Sequence, residues 1–239
     1  MAGRPVHADP GRSGSPRRGG GPGVTDWRLY YVTDPELAGG RDNVAATVEQ
    51  AVLGGAGVVQ FRDKHATHEE FRAGVLACQR AIERAVAAGA SGAELFVNDR
   101  VEVAAELGTH LHIGQGDATA RAARAAIGPE RLLGISVSSR EEMLAVAREG
   151  LADVVGLSPV WETATKTDTA PPLGLTGVEE LLRLRPEGLR VVAIGGINAG
   201  NAAALIKAGV DGICVVSAIA AAPDPRLAAD ELITLWRKP

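Results

Sequence analysis

The stretch RVVAIGGINAGNAAALIKAGVDGICVVS, residues 190–217, decides the fold. It opens on RVVAIG, apolar without alternation, as expected of a strand covered on both faces. The alanine-rich NAAALIKAG then has helical period; Asn198 is placed to cap it and Gly209 to stop it. A second unalternating run, GICVVS at 212–217, closes the unit. Strand, helix, strand in this order predicts a βα repeat and a parallel sheet.

The same pattern extends back to Trp27. Strands are expected at RLYYV (28–32), GVVQF (57–61), ELFVN (94–98), HLHI (110–113), LLGIS (132–136) and DVVGLS (153–158), which with the two above makes eight. Asn43 is expected to open the first helix, and Thr67 with Glu70 to form a capping box on the second. Eight such units close naturally into a (β/α)8 TIM barrel, an α/β fold. A doubly wound open sheet is the runner-up, because counting strands does not establish closure.

Length and composition agree with one large domain. The chain has 239 residues, 46% hydrophobic and 3% aromatic, with 30 glycines and a formal net charge of -4. Cys78 and Cys214 lie far apart and form no metal or redox spacing, which favours reduced, packed thiols. Residues 1–25 differ from the rest, being Gly-, Pro- and Arg-rich with almost no apolar pattern, so a disordered extension is expected before a barrel at 26–239. Four arginines against one aspartate put +3 on this head and leave -7 on the remainder. The head lacks the apolar core of ~7–15 residues that a signal peptide needs, and no stretch of ~20 apolar residues could span a bilayer. The expectation is a soluble cytoplasmic protein acting on small molecules, with no nucleic-acid or membrane partner and with homo-oligomerisation left open. The head could also lie upstream of the natural start.

In a barrel of this kind chemistry gathers at the C-terminal strand ends. Strand 2 ends in VQFRDK, where Gln60, Arg62 and Lys64 recur at period two and so face one side. Two cations and an amide there make a clamp for a polyphosphate, Arg bidentate and Lys a mobile point charge; the bland alternative is a solvated strand end. Strand 3 ends in VNDR and strand 4 runs into IGQGD. Asn98, Asp99 or Asp117 could each simply cap a helix, but two carboxylates brought to one rim by adjacent strands suit Mg²⁺, which keeps waters and shares substrate oxygens. His110 and His112 read as packed or hydrogen-bonded rather than as metal ligands. Ser136 is a possible donor. Glycines after strand 7 (AIGG) and Ser217 after strand 8 suggest a phosphate site, where backbone amides can approach an anion. The loop LSPVWETATKTDT after strand 6 adds Thr163, Thr165 and Lys166 between the two anion sites, unless it is merely a polar lid.

LYYVTD, VQFRDK, VNDR, HIGQGD, GIS, SPVWETATK, PLGL, AIGGI and DGICVVSAI, in this order from Leu29 to Ile219, resemble the thiamine-phosphate synthase family. The resemblance implies a barrel enzyme, a transferase that joins 4-amino-2-methyl-5-(diphosphooxymethyl)pyrimidine to a thiazole phosphate with loss of pyrophosphate. It further implies that Gln60, Arg62, Lys64, Asn98, Ser136 and Lys166 bind the pyrimidine diphosphate, that Asp99 and Asp117 bind Mg²⁺, and that Thr163, Thr165, Gly196, Val216 and Ser217 hold the thiazole phosphate. In that family the C–O bond to pyrophosphate breaks first and the thiazole nitrogen then attacks. Stabilising the leaving group therefore outweighs general-base catalysis, and Lys166, Ser136, Arg62 and Lys64 take the catalytic part.

The chain departs from the pattern in three places. Ser158 stands before Pro159 and Glu162 before Thr163, where relatives have Gly and Pro; Ser138 stands where many have His. A thiazole tautomerase of the same family would rely on a histidine near position 138. A non-catalytic barrel sensing thiamine precursors would be expected to have lost Lys166 or an aspartate. Neither mark is present.

Overall fold

The computed structural model describes residues 24–163 and 170–237. Eight strands, β1 (Leu29–Val32), β2 (Val58–Phe61), β3 (Glu94–Asn98), β4 (His110–Ile113), β5 (Leu133–Val137), β6 (Val154–Leu157), β7 (Arg190–Ile194) and β8 (Gly212–Val215), pair in parallel and in chain order. Closure comes from β1 pairing with β8, Tyr30 opposite Cys214, so the barrel is complete and the open-sheet alternative is set aside. Among the described residues, a helix follows each of the first seven strands: α1 (Arg41–Leu53), α2 (His68–Ala87), α3 (Val101–Leu107), α4 (Ala120–Ile127), α5 (Arg140–Glu149), α6 (Gly174–Leu182) and α7 (Ala202–Ala208). After β8 come the short α8 (Ser217–Ala220), then α9 (Pro225–Thr234).

Strand parity sorts the side chains into two layers. Leu29, Tyr31, Val59, Phe61, Val97 and Leu111 point outward and pack under the helices. Tyr30, Val32, Val58, Phe96, Val154, Val192 and Cys214 point inward. Each fully buried side chain of this size stabilises the fold by about 1.5–3 kcal/mol. Inside the base, the rings of Trp27, Tyr30 and Phe96 lie with centroids 5.6–6.4 Å apart and fill the barrel with an aromatic plug.

The capping box on α2 forms as expected, Glu70 N–H donating to Thr67 Oγ1 and Thr67 N–H to Glu70. Two other cap expectations are corrected. α1 begins at Arg41, after Gly40, and Asn43 lies inside it, donating to the Gly39 carbonyl. Asn198 does not cap α7, whose N-cap is Asn201; its Oδ1 accepts from Gly200 N–H in a local turn instead. Local side-chain bonds of this kind compete with helix capping.

Candidate active site

The inward parity of β2 continues past its end, so Gln60, Arg62 and Lys64 all face one cavity of about 390 Å³ at the C-terminal mouth of the barrel. The turn that carries them is anchored from behind. Asp63, buried between the two cations in sequence, accepts from Arg41 Nε (2.6 Å) and from His65 N–H (3.0 Å). Burial raises the Asp63 pKa, but the Arg41 bond and the backbone donors outweigh it and hold the carboxyl below its usual range. Thr33 ties the same turn to β1: its hydroxyl accepts from Arg62 N–H and donates to the Arg62 carbonyl.

Asp99 and Asp117 meet on the neighbouring wall. Asp99 takes a left-handed backbone conformation, φ 60°, which costs energy for a residue with a side chain and is tolerated best by Asn and Asp. Its N–H donates to the His112 carbonyl (2.9 Å), so the chain turns sharply at the rim and the carboxylate enters the cavity. Asn98 donates to it. Asp117 accepts from Gly114 N–H (2.7 Å) and is not the cap of α4; Thr119 is. Burial first, then the Asp117 carboxylate within side-chain hydrogen-bonding reach, push the Asp99 pKa up to about 6, with Asn98 and Lys64 only partly opposing this. Two carboxylates pressed together with too little cationic compensation suit a hard divalent cation. Among the described residues no three His, Cys, Asp or Glu side chains gather to hold a metal. Asp99 and Asp117 could offer two protein oxygens to such an ion, leaving the rest of its shell to water and substrate, a donor set that fits Mg²⁺ better than zinc.

The far side is built by the ends of β5 to β8. Ser136 lines the cavity; its hydroxyl is 3.1 Å from His112 Nε2, and its carbonyl accepts from Gln115 (2.7 Å). After β7 the chain folds against the β6 loop, Val160 N–H donating to the Ile194 carbonyl and Trp161 N–H to the Gly195 carbonyl. This close approach requires both glycines. A Cβ on Gly195 would lie 2.9 Å from Pro159, one on Gly196 2.7 Å from the Glu162 carbonyl, and both residues have positive φ. Gly196, Val216 and Ser217 line the cavity beside Thr163. Glu162 is exposed.

Every described candidate from the sequence, Gln60, Arg62, Lys64, Asn98, Asp99, Asp117, Ser136, Thr163, Gly196, Val216 and Ser217, therefore lines a single cavity. Thr165 and Lys166 lie outside the described residues, as does the extension through residue 23. Ser138 does not line the cavity; its hydroxyl donates to Glu142 (2.9 Å). His110 pairs with Glu94 (2.9 Å) near the base. Sequence reasoning missed Tyr30, Gln115 and Cys214, which also line the cavity. Parity alone could have found Tyr30, since Val32 and Gln60 are register partners and Tyr30 shares their inward face.

The comparisons with known proteins bear on this site. Residues 29–219 match the family described as thiamine monophosphate synthase. The chain belongs to that family. It is 42% identical over 213 residues to the thiamine-phosphate synthase of Chloroflexus aurantiacus, a match covering 89% of this chain and 94% of that protein. It is 44% identical over 220 residues to the thiamine biosynthesis multifunctional protein ThiED of Corynebacterium efficiens, covering 89% of this chain but spanning only 29% of that longer protein. Among solved structures, the thiamine phosphate pyrophosphorylase from Pyrococcus furiosus superposes with a TM-score of 0.77 at 33% identity, over 89% of this chain and 96% of that one. The family match spans all eight strands, from the start of β1 to Ile219 in α8.

Proposed function

We propose that this chain is a thiamine-phosphate synthase, coupling 4-amino-2-methyl-5-(diphosphooxymethyl)pyrimidine to a thiazole phosphate with release of pyrophosphate. The observation that carries the reading is the division of one cavity into a cationic wall (Arg62, Lys64), an adjoining acidic pair (Asp99, Asp117) and a glycine- and hydroxyl-lined wall across the mouth (Thr163, Gly196, Ser217). A diphosphate, a hard cation and a second phosphate need these three surfaces together.

In this reading Arg62 and Lys64 grip the diphosphate oxygens, with Asn98 and Ser136 donating beside them. Mg²⁺, when bound through Asp99 and Asp117, supplies charge neutralisation for the departing pyrophosphate. Lys166 adds a cation to the same leaving group. The backbone of Gly196 and Val216 and the hydroxyls of Ser217, Thr163 and Thr165 hold the thiazole phosphate, which fixes the ring nitrogen near the reacting carbon. The floor formed by Tyr30, Val192, Ile194 and Cys214 seats the pyrimidine and excludes water that would otherwise capture a cationic carbon. The catalytic barrel is taken to run over 26–239 behind a separate extension, in the cytoplasm, where the two buried thiols stay reduced.

The decisive assay mixes purified protein with both substrates and Mg²⁺ and follows thiamine phosphate. Lys166→Ala and Asp99→Ala are each expected to lower turnover about 10²–10³-fold, as when one preorganised donor to developing charge is removed. Near-normal turnover in either variant refutes its assignment, and absence of coupling in the wild type refutes the function.

A further inference from the structure

The VNDR turn at the end of β3 carries one side chain that the site has not used, Arg100. We propose that Arg100 is a positioning residue that braces the Asp99 wall against the diphosphate clamp, so that a metal ion and the two clamp cations meet one diphosphate at a fixed spacing; this rests on the function proposed above. Asp99 and Arg100 are neighbours in sequence but part company at the rim. Arg100 N–H donates to the Asn98 carbonyl (2.7 Å) and Asp99 turns left-handed, so the carboxylate enters the cavity while the guanidinium leaves it. Arg100 Nη2 donates instead to the Ala66 carbonyl at 2.8 Å, in the loop that carries Arg62 and Lys64. Its Cζ stands 5.1 Å from the centre of the Phe71 ring, within the range of a cation–π contact. Phe71 is buried and meets Phe61, the last residue of β2, edge to face with centroids 4.9 Å apart.

The direction of the Arg100 bond is unambiguous, because a guanidinium only donates and a carbonyl only accepts. Ala66 is buried and precedes Thr67, the N-cap of α2, so its carbonyl lies outside the helix ladder and needs a donor from elsewhere. Thr33 and Arg41 hold the clamp loop from the β1 side; Arg100 holds it from the β3 side. The arginine is placed against local preference. It stands at the N-cap of α3, where it can accept no bond from the free N–H groups of the helix and its charge opposes theirs. A local rule broken at the rim of a site points to a role outside the helix. The P–O–P unit fixes the separation of the diphosphate oxygens, so a loop that drifts from Asp99 leaves each half of the site intact and weakens only their joint grip.

The test titrates pyrophosphate by calorimetry into wild type, Arg100→Met and Arg100→Lys, once in chelator and once at a fixed Mg²⁺ concentration. Comparing the proteins under one set of conditions cancels the complex that Mg²⁺ forms with pyrophosphate in solution. Mg²⁺ should tighten pyrophosphate binding to wild type. Arg100→Met should lose about tenfold of that gain, within the range usual for coupling between two sites, with the affinities for pyrophosphate in chelator and for thiazole phosphate unchanged. Arg100→Lys keeps the charge and a donor but not the planar stack, and should fall between the two; should Arg100→Met fail to fold, Arg100→Lys carries the test. No Mg²⁺ gain in wild type, a full wild-type gain in either variant, or an equal loss of pyrophosphate affinity with and without Mg²⁺ would each overturn the brace, the last because it marks a direct charge effect. If the gain depends on Arg100 yet wild type couples no substrates, the brace holds and the synthase function falls.

Discussion

Replacing Asp117 by Asn should make the metal-free protein more stable while disabling it. The Asp99 carboxyl is raised from 3.8 to about 6, chiefly by burial and then by Asp117. At ~1.36 kcal/mol per tenfold change in proton affinity, the whole displacement caps the cost at about 3 kcal/mol. Burial persists in the variant and solvent screens part of the pair, so the share released is on the order of 1 kcal/mol. For a domain of this size that is worth ~2–4 °C in Tm. The sign follows from linkage. A carboxyl raised in the folded state binds its proton more tightly there than in the unfolded chain, so stability falls as pH rises from about 4 to about 6 and stays lower above that. The gain from Asp117→Asn should therefore appear at pH 8 and vanish at pH 4, where Asp99 is already protonated. The introduced amide oxygen can still accept the bond from Gly114 N–H, so the loop is not undone. Thermal melts in chelator at both pH values, followed by melts with Mg²⁺ and pyrophosphate, read this directly. A lower Tm than wild type at pH 8, or an equal gain at pH 4, would refute the repulsion between the two carboxylates; stabilisation by Mg²⁺ and pyrophosphate as large as in wild type would refute their shared ion.

Asp63→Ala should raise the KM for the pyrimidine diphosphate more than it lowers kcat, and destabilise by about 1–3 kcal/mol, since Arg41 and the His65 amide lose a buried acceptor; initial-rate kinetics and denaturant titration separate the two effects. Because the Asp63 pKa is held low, the stability it contributes is present near neutral pH and lost as pH falls through its folded value. Gly196→Ala should raise the KM for thiazole phosphate, because its Cβ would meet the Glu162 carbonyl at 2.7 Å and its φ of 66° is strained for alanine; an unchanged KM would separate the glycine pair from phosphate binding. Gly134→Ala places a Cβ 2.3 Å from His112 Nδ1 and so should displace that ring from Ser136, costing about 1–3 kcal/mol of overpacking, visible as a lowered denaturation midpoint.

How much of this was legible in the sequence depended on periodicity. Strand ends fell within two residues of their observed positions, because fully covered parallel strands are written as unbroken apolar runs between polar segments. The spacing of Gln60, Arg62 and Lys64 carried over directly, since period two survives one turn beyond β2. Helix starts were less legible: Asn43 and Asn198 have the chemistry of caps, yet each spends its side chain on a nearby backbone group. Gly195 and Gly196 read as a tight anion-binding turn, whereas their immediate constraint is contact with the Pro159–Glu162 loop, a pairing between distant segments that no local pattern encodes. Tyr30 was passed over for a similar reason. In LYYV it looks like one more core aromatic, and only the barrel brings its hydroxyl to Gln60.

The ring cluster of Trp27, Tyr30 and Phe96 fills the barrel below the cavity, so among the described residues the cavity is reached from the C-terminal mouth. In the proposed reaction two reactants and two products share that mouth, and whatever rests on the floor departs last. With pyrophosphate at the rim on Arg62 and Lys64, as proposed above, it must clear before the joined product can rise past it. Added pyrophosphate would then act as a cork, trapping finished product below it.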